Sequence, residues 1–110
     1  MPLGLASGLS LFAPNLNLAR DPRWGRAQET PGEDPLVSGE YSMAFIRGVQ
    51  SCHQGTGPCQ ALAVAKHFAD YDLEGNRGTT DRGSFDATVP ARDQVEYYWP
   101  AWEATARAAN

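Results

Sequence analysis

The sequence lacks several features that would point directly to a function. Its 110 residues carry a net charge of −4, which argues against a general nucleic-acid-binding protein. No run of about 18 apolar residues occurs, so the sequence predicts no membrane-spanning helix. Neither G-x-G-x-x-G nor a P-loop is present, and no Ser-His-Asp or Cys-His arrangement has supporting local context. We therefore expect no organic cofactor, no nucleic acid and no membrane among its ligands.

Cysteine is also scarce, because the chain has only Cys52 and Cys59, in the stretch SCHQGTGPCQ. A disulfide between them would suit a secreted protein, and two free thiols fit the sequence equally well. Cys52, His53 and Cys59 lack the paired spacing of known zinc sites. We therefore predict no metal site and interpret His53 as a solvated loop residue.

Two short apolar runs predict strands. Residues 8–18, GLSLFAPNLNL, predict one buried strand. Residues 61–65, ALAVA, form an unbroken apolar run that suits a strand buried on both faces, as in parallel sheets. Residues 85–89 predict a further short extended piece.

Two helices are predicted, one between these strands and one after them. Asp34 is a suitable N-cap and Pro35 a suitable first helical residue, and this helix fades near Gln50. Helical spacing predicts its apolar face from Leu36 or Val37, Tyr41, Ala44 or Phe45, and Gly48 or Val49. The second helix begins near Ala91 and is predicted to be bent or restarted at Pro100.

The predicted order of elements is strand, helix, strand, helix. This order is typical of the α/β class, in which helices cover a parallel sheet. Two strands and two helices make a poor core alone, so we predict a piece of a larger domain. That domain is either an open sheet or a (β/α)₈ barrel, of which the chain supplies roughly two βα units.

Charged residues follow both predicted strands at their carboxyl ends, where α/β proteins bind ligands. The first strand runs into a loop that contains Arg26, and the second ends at Lys66 and His67. Ending a buried strand with two ionisable groups carries a desolvation cost, which favours a functional role. These side chains predict a donor-rich pocket that suits vicinal hydroxyls or an anion.

The other prominent residues of that loop have structural interpretations. Arg20 and Arg23 lie among acidic residues, so we expect ion pairs that hold the loop in shape. Trp24 is interpreted as a core side chain rather than a platform for a sugar ring.

Three stretches resemble the N-terminal barrel domain of glycoside hydrolase family 3: APNLNLARDPRWGRAQETPGEDP, VAKHFADYDLE and RGSFDATV. They occur in the family's order over nearly the whole chain, and the nearest resemblance is to the β-xylosidases. The resemblance implies that residues 1–110 are a fragment of a (β/α)₈ TIM-type barrel domain. It also implies retaining hydrolysis of a terminal β-linked sugar by an aspartate nucleophile and a separate acid/base residue.

The resemblance carries over substrate-binding roles rather than catalytic ones. Arg26, Lys66 and His67 match residues that hold the sugar in the −1 subsite. A further site arginine is Arg77 or Arg82, and counting back from the following strand favours Arg82. The nucleophile and the acid/base residue are expected downstream, so no catalytic residue is predicted within the chain.

The predicted function is therefore part of a secreted, exo-acting β-xylosidase that releases terminal β-1,4-linked xylose from xylo-oligosaccharides in xylan breakdown. Its expected partners are the oligosaccharide substrate and the rest of the parent chain, and we expect the fragment alone to be inactive. A β-glucosidase or α-L-arabinofuranosidase of the same family is an alternative. Outside that class, the alternatives are a non-catalytic carbohydrate-binding remnant and a Schiff-base barrel lyase that uses Lys66.

Overall fold

A computed structural model describes residues 10–51, 59–75 and 81–108 of the chain. In these ranges the elements are β1 (Ser10–Leu11), a 3-10 turn (Ala27–Glu29), α1 (Pro35–Gln50), β2 (Leu62–Ala63), α2 (Ala91–Asp93), a π-helical turn (Gln94–Tyr98) and α3 (Trp99–Ala108). None of the described helices is both long and apolar enough to cross a membrane.

The two strands pair in parallel, as predicted, with Leu11 opposite Ala63. A further parallel bridge joins Asn15 to Lys66. Leu11 and Asn15 are four residues apart in the chain, whereas their partners Ala63 and Lys66 are three residues apart. The β1 side therefore accommodates one extra residue, and the regular strands are shorter than the apolar runs suggested.

The prediction that residues 61–65 are buried on both faces was wrong. Ala61 is buried, but Leu62 and Val64 are exposed. Among the described residues β2 has one neighbouring strand, β1, and packs against one helix, α1, so the face that carries Leu62 and Val64 is exposed. Residues 85–89 form no strand in the described structure.

Helix α1 begins and ends where the sequence predicts. The Asp34 carboxylate accepts hydrogen bonds from the backbone N–H groups of Leu36 at 2.7 Å and Val37 at 3.1 Å. Pro35 is the first helical residue, and Ser51 ends the helix in the left-handed conformation with φ of 39°. The N-terminal cap thus satisfies backbone donors that have no partner within the helix.

The predicted apolar face of α1 was wrong, because α1 packs mainly through small residues and Ile46 instead. Its buried residues are Ser38, Gly39, Ser42 and Ile46, whereas Leu36 is 69% exposed. A Cβ at Gly39 would lie 3.1 Å from the Cβ of Ala104 in α3. The two helices therefore approach too closely for large aliphatic side chains at the contact, and a search for large apolar residues misses this face.

The C-terminal helix changes its hydrogen-bond pattern next to Pro100, as the sequence suggested. The π-helical turn spans Gln94–Tyr98, and regular α3 starts at Trp99. Proline has no N–H to donate, and its ring clashes with the carbonyl group four residues earlier, here that of Glu96. A wider turn at this point relieves that conflict.

Candidate functional site

A cavity of about 570 Å³ lies beyond the carboxyl ends of β1 and β2. Three predicted site residues line it, namely Arg26, His67 and Arg82. The rest of its wall consists mostly of aromatic and small residues, Phe68, Ala69, Asp70, Tyr71, Gly83, Phe85 and Ala87. Lys66 is not part of this lining, and Arg77 lies outside the described residues.

Arg26 is held in place by a carboxylate of its own loop. Its Nε and Nη2 atoms each donate to Glu29 at 2.7 Å. These bonds lower the pKa of Glu29 to about 2, and the Arg26 side chain is only 21% exposed. The paired geometry fixes the guanidinium plane, and the guanidinium also lies 3.8 Å from Oε1 of Glu74 through Nε and 6.0 Å from the centroid of the Tyr71 ring.

Lys66 influences the site through its charge. Its backbone N–H donates to the Pro14 carbonyl at 2.9 Å, and its carbonyl accepts from Leu16 at 2.7 Å. After the hydrogen bond from Arg26, the Lys66 ammonium also contributes to lowering the pKa of Glu29. Lys66 therefore lies within electrostatic range of the Arg26–Glu29 pair, although it does not border the cavity.

His67 is held by hydrogen bonds to the buried side-chain amide of Asn17. Its backbone N–H donates to Oδ1 of Asn17 at 2.9 Å, and its ring Nδ1 lies 2.8 Å from the same oxygen. The edge-on ring of Tyr71 packs against it, with ring centroids 4.9 Å apart. Burial first, and then the positive charges of Arg26 and Lys66, lower the pKa of His67. The imidazole is consequently neutral at neutral pH.

Arg82 also lines the cavity, and it is more exposed than Arg26. Its Nη1 atom lies 3.5 Å from the Tyr71 hydroxyl and 3.5 Å from Oε2 of Glu74. The Tyr71 hydroxyl in turn donates to Glu74. Because the Arg82 side chain is 57% exposed, it is held less firmly than Arg26.

Two buried asparagines, neither of them among the predicted site residues, organise the site. Asn15 and Asn17 are 7% and 6% exposed. Asn15 Nδ2 lies 3.5 Å from Glu29 Oε2, and Asn15 Oδ1 accepts from the backbone N–H of Asn17 at 2.9 Å. Asn17 Nδ2 donates to the carbonyls of His67 at 3.2 Å and Tyr71 at 2.8 Å. The available signal was an uncharged amide at every second position of the buried stretch NLNL.

The remaining loop residues have structural roles, as interpreted. Arg23 pairs with Asp21 inside the loop at 2.6 Å. Arg20 also forms an ion pair, but its partner is Asp93 of α2 at 3.2 Å rather than a residue of the loop. Trp24 is buried in the core, as expected.

The cysteine region is described only in part. Cys59 is disulfide-bonded, while Cys52 and His53 lie outside the described residues. Within the described ranges, no group of three or more His, Cys, Asp or Glu side chains is arranged to hold a metal ion.

Curated proteins similar to this chain carry β-xylosidase names. The chain is 46% identical over 105 residues to "Probable beta-D-xylosidase 7" of Arabidopsis thaliana, covering 91% of this chain and 14% of that protein. It is 47% identical over 106 residues to "Probable exo-1,4-beta-xylosidase bxlB" of Aspergillus oryzae, covering 94% and 13%. It is 41% identical over 102 residues to "Beta-xylosidase/alpha-L-arabinofuranosidase 1" of Medicago sativa, covering 92% and 13%.

Solved structures agree with these sequence matches. A GH3 exo-β-xylosidase in complex with a xylobiose aziridine activity-based probe matches with a TM-score of 0.81 and 34% identity, over 89% of this chain and 12% of that one. A β-glucosidase from Listeria innocua in complex with isofagomine matches with a TM-score of 0.67 and 32% identity, over 90% and 14%. The family "Glycosyl hydrolase family 3 N terminal domain" matches residues 5–94.

Proposed function

The chain belongs to glycosyl hydrolase family 3, and we propose that it forms one wall of the substrate site of a β-xylosidase. The chain spans 12 to 14% of the length of the relatives compared above. We use "complete enzyme" for a polypeptide of the relatives' length that carries this chain. In this proposal the two parallel strands belong to a (β/α)₈ barrel, and the nucleophile and acid/base residue come from other parts of the complete enzyme.

The observation that supports the proposal most directly is the convergence of Arg26, His67 and Arg82 on one cavity. These residues are separated in sequence, yet all three border the space beyond the carboxyl ends of the parallel strands. That is the place where α/β barrels bind their substrates. Aromatic side chains in the same wall, Tyr71 and Phe85, provide apolar surface for the faces of a sugar ring.

The charge balance of the cavity favours sugar hydroxyls over an anion. Arg26 is paired with Glu29, and Arg82 lies 3.5 Å from Glu74. The two carboxylates offset much of the positive charge that an anionic ligand would need. Directional N–H donors remain, and a hydrogen bond between a hydroxyl and a charged group contributes about 1.5 to 3 kcal/mol.

In this proposal the cavity residues hold the sugar, while carboxylates from other parts of the complete enzyme carry out the reaction. In retaining hydrolysis one carboxylate bonds to the anomeric carbon as an acid protonates the departing sugar, and water then cleaves the covalent intermediate. Hydrogen bonds to ring hydroxyls that strengthen as the ring distorts lower the barrier. We assign this role to Arg26, His67 and Arg82, and we propose that Lys66, which does not border the cavity, supports the bound sugar through its charge near the Arg26–Glu29 pair.

Xylose is the substrate best supported by the comparisons. The compared curated relatives carry β-xylosidase names, and the xylosidase structure has a higher TM-score, 0.81, than the glucosidase, 0.67. An α-L-arabinofuranoside is a second candidate, because the relative from Medicago sativa carries both activities in its name. We also propose that the enzyme is secreted, and the disulfide at Cys59 supports an oxidising compartment.

The test is alanine substitution, in the complete enzyme, of Lys66 and His67, which follow β2 along the chain. Lys66→Ala and His67→Ala should each lower kcat/KM on an aryl β-xyloside by about 10²-fold or more, without a matching fall in Tm. Arg92→Ala is the control, because Arg92 forms an exposed ion pair with Glu96 away from the cavity. Near-unchanged kinetics in both test variants would reject the site assignment.

The same assays distinguish the alternatives. Aryl β-glucoside and aryl α-L-arabinofuranoside, compared with the xyloside, rank the three substrates by kcat/KM. Absence of hydrolysis, with retained binding of xylo-oligosaccharides, would instead support the carbohydrate-binding remnant. Borohydride trapping of a carbonyl substrate on Lys66 would support the Schiff-base lyase.

A further inference from the structure

The orientation of the Asn17 side chain is determined by the backbone groups around it. The atom that lies 3.2 Å from the His67 carbonyl and 2.8 Å from the Tyr71 carbonyl must be the amide nitrogen, because carbonyl oxygens only accept. The atom 2.9 Å from the backbone N–H of His67 must be the oxygen, because that N–H only donates. Reversing the amide would break all three contacts.

This orientation also determines which ring nitrogen of His67 carries the proton. Oδ1 of Asn17 lies 2.8 Å from Nδ1 of His67, and an amide oxygen can only accept a hydrogen bond. Nδ1 must therefore be protonated. In a neutral imidazole the other nitrogen, Nε2, then carries a lone pair. We propose that Asn17 is a positioning residue that holds His67 as the Nδ1-protonated tautomer and leaves the Nε2 lone pair for a ligand in the cavity.

Four observations support this assignment. His67 lines the cavity, and the hydrogen bonds of its ring to described residues involve only Nδ1. The ring is held from a second direction by its edge-on contact with Tyr71. Burial and the neighbouring cations lower the pKa of His67, so the neutral form that has a lone pair is the one present at neutral pH.

The tautomer gives the cavity an acceptor among donors. Arg26 and Arg82, which share the cavity wall, can only donate hydrogen bonds. A ligand with neighbouring hydroxyls can donate to Nε2 from one group and accept from a guanidinium with the next. This use of Nε2 rests on the proposed function, whereas the tautomer itself does not.

The direct test is the ring nitrogen spectrum of the complete enzyme labelled with ¹⁵N-histidine, recorded at neutral pH without substrate. The His67→Gln variant identifies the His67 signals by their loss. We expect a protonated, pyrrole-type Nδ1 and an unprotonated, pyridine-type Nε2. A protonated Nε2 in the wild type would overturn the proposal. Because no substrate is present, this result is independent of whether the enzyme hydrolyses xylosides.

A matched pair of variants tests the role of Asn17. Asn17→Asp keeps an acceptor oxygen of the same size and should keep Nδ1 protonated, while it loses the donor to the two carbonyls and its charge favours a second proton on Nε2. Asn17→Leu removes the acceptor at similar volume and should move both ring signals toward the average of two tautomers. A wild-type spectrum in the Leu variant would overturn the positioning role, as would an unprotonated Nδ1 in the Asp variant. If the Leu variant does not fold, the spectra of the wild type and the Asp variant still show which ring nitrogen of His67 is protonated.

A kinetic cycle provides a readout that a purely structural role would not give. In the active enzyme, Asn17→Leu should lower kcat/KM in the wild type and cause little further loss in the His67→Gln background, because both changes affect one interaction. Equal losses in the two backgrounds would show that Asn17 does not act through His67.

Discussion

Two regions of the molecule bury polar side chains, and they do so with different results. The first is the helix seam, formed by Ser38, Gly39 and Ser42 of α1 with Ala101, Ala104 and Thr105 of α3. There the Ser42 and Thr105 hydroxyls lie 2.5 Å apart, and Thr105 also donates to the Ala101 carbonyl at 2.7 Å. The second is the amide pair, Asn15 and Asn17, which bonds to the backbone and side chains that carry the cavity residues.

The two regions differ in which groups the buried polar side chains hold in place. In the helix seam the Ser42 and Thr105 hydroxyls bond to each other and to a backbone carbonyl, and the Ser38 hydroxyl has no partner among the described residues, so their contribution is confined to packing. In the amide pair the bonds fix groups that border the cavity, namely Arg26, through Glu29, and His67. Buried polarity alone is therefore not a sign of function. It becomes one when the satisfied group holds another group at the edge of a cavity.

The strongest test of this contrast compares two arginines of one loop in the complete enzyme. Arg26→Ala removes a fixed donor of the cavity and should lower kcat/KM on an aryl β-xyloside by about 10²-fold. Arg23→Ala breaks only the pair with Asp21, and the Arg23 side chain is 89% exposed. Since exposed pairs contribute at most about 1 kcal/mol, its kinetics should stay close to wild type. Similar losses in both variants would contradict the assignment of Arg26 to the cavity and of Arg23 to the structure of the loop.

The helix seam should respond in stability rather than in activity. Gly39→Val places carbon atoms where a Cβ would already lie 3.1 Å from Ala104. Overpacking of this kind costs about 1 to 3 kcal/mol, so Tm should fall while KM of the folded fraction is retained. Calorimetry and steady-state kinetics on the same preparation measure the two effects. An unchanged Tm would mean that the helices separate easily at this point.

The smallest expected effect separates two serines of the seam that lie one helical turn apart and are both fully buried. Ser42→Ala loses a hydrogen bond to Thr105 and should cost about 1 kcal/mol. Ser38→Ala removes a hydroxyl that has no partner among the described residues and should be neutral or slightly stabilising. Chemical denaturation of both variants gives the comparison, and a larger loss for Ser38→Ala would reverse the assignment of roles.

Local signals in the sequence predicted part of the fold well. Asp34 and Pro35 determine the start of α1 through contacts within a few residues, and Pro100 determines a change in the last helix for the same reason. The buried face of α1 was not predictable in this way, because it depends on how closely Ala104 approaches Gly39. Helical periodicity ranks large apolar side chains first and has no knowledge of the partner helix.

The site was predictable where an ionisable side chain follows a predicted strand, as for Arg26 and His67, or where a residue matches the family resemblance, as for Arg82. Arg26, His67 and Arg82 stood out, and the structure places them around one cavity. Their roles toward sugar remain predictions. Asn17 was missed because a neutral amide inside an apolar stretch can satisfy backbone groups anywhere, and its partners lie far along the chain. Only the folded arrangement shows that it bonds to both His67 and Tyr71.

The partners of Asn17 have a consequence for the order of folding. Its hydrogen bonds join residues 50 and 54 positions apart in the sequence, whereas the cap of α1 joins residues two and three positions apart. Long loops pay their closure entropy before such distant contacts contribute any stability. We therefore expect α1 to form early and the ligand-binding arrangement late. An incompletely folded chain would thus contain helix yet have no affinity for sugar, so binding reports on completion of the fold.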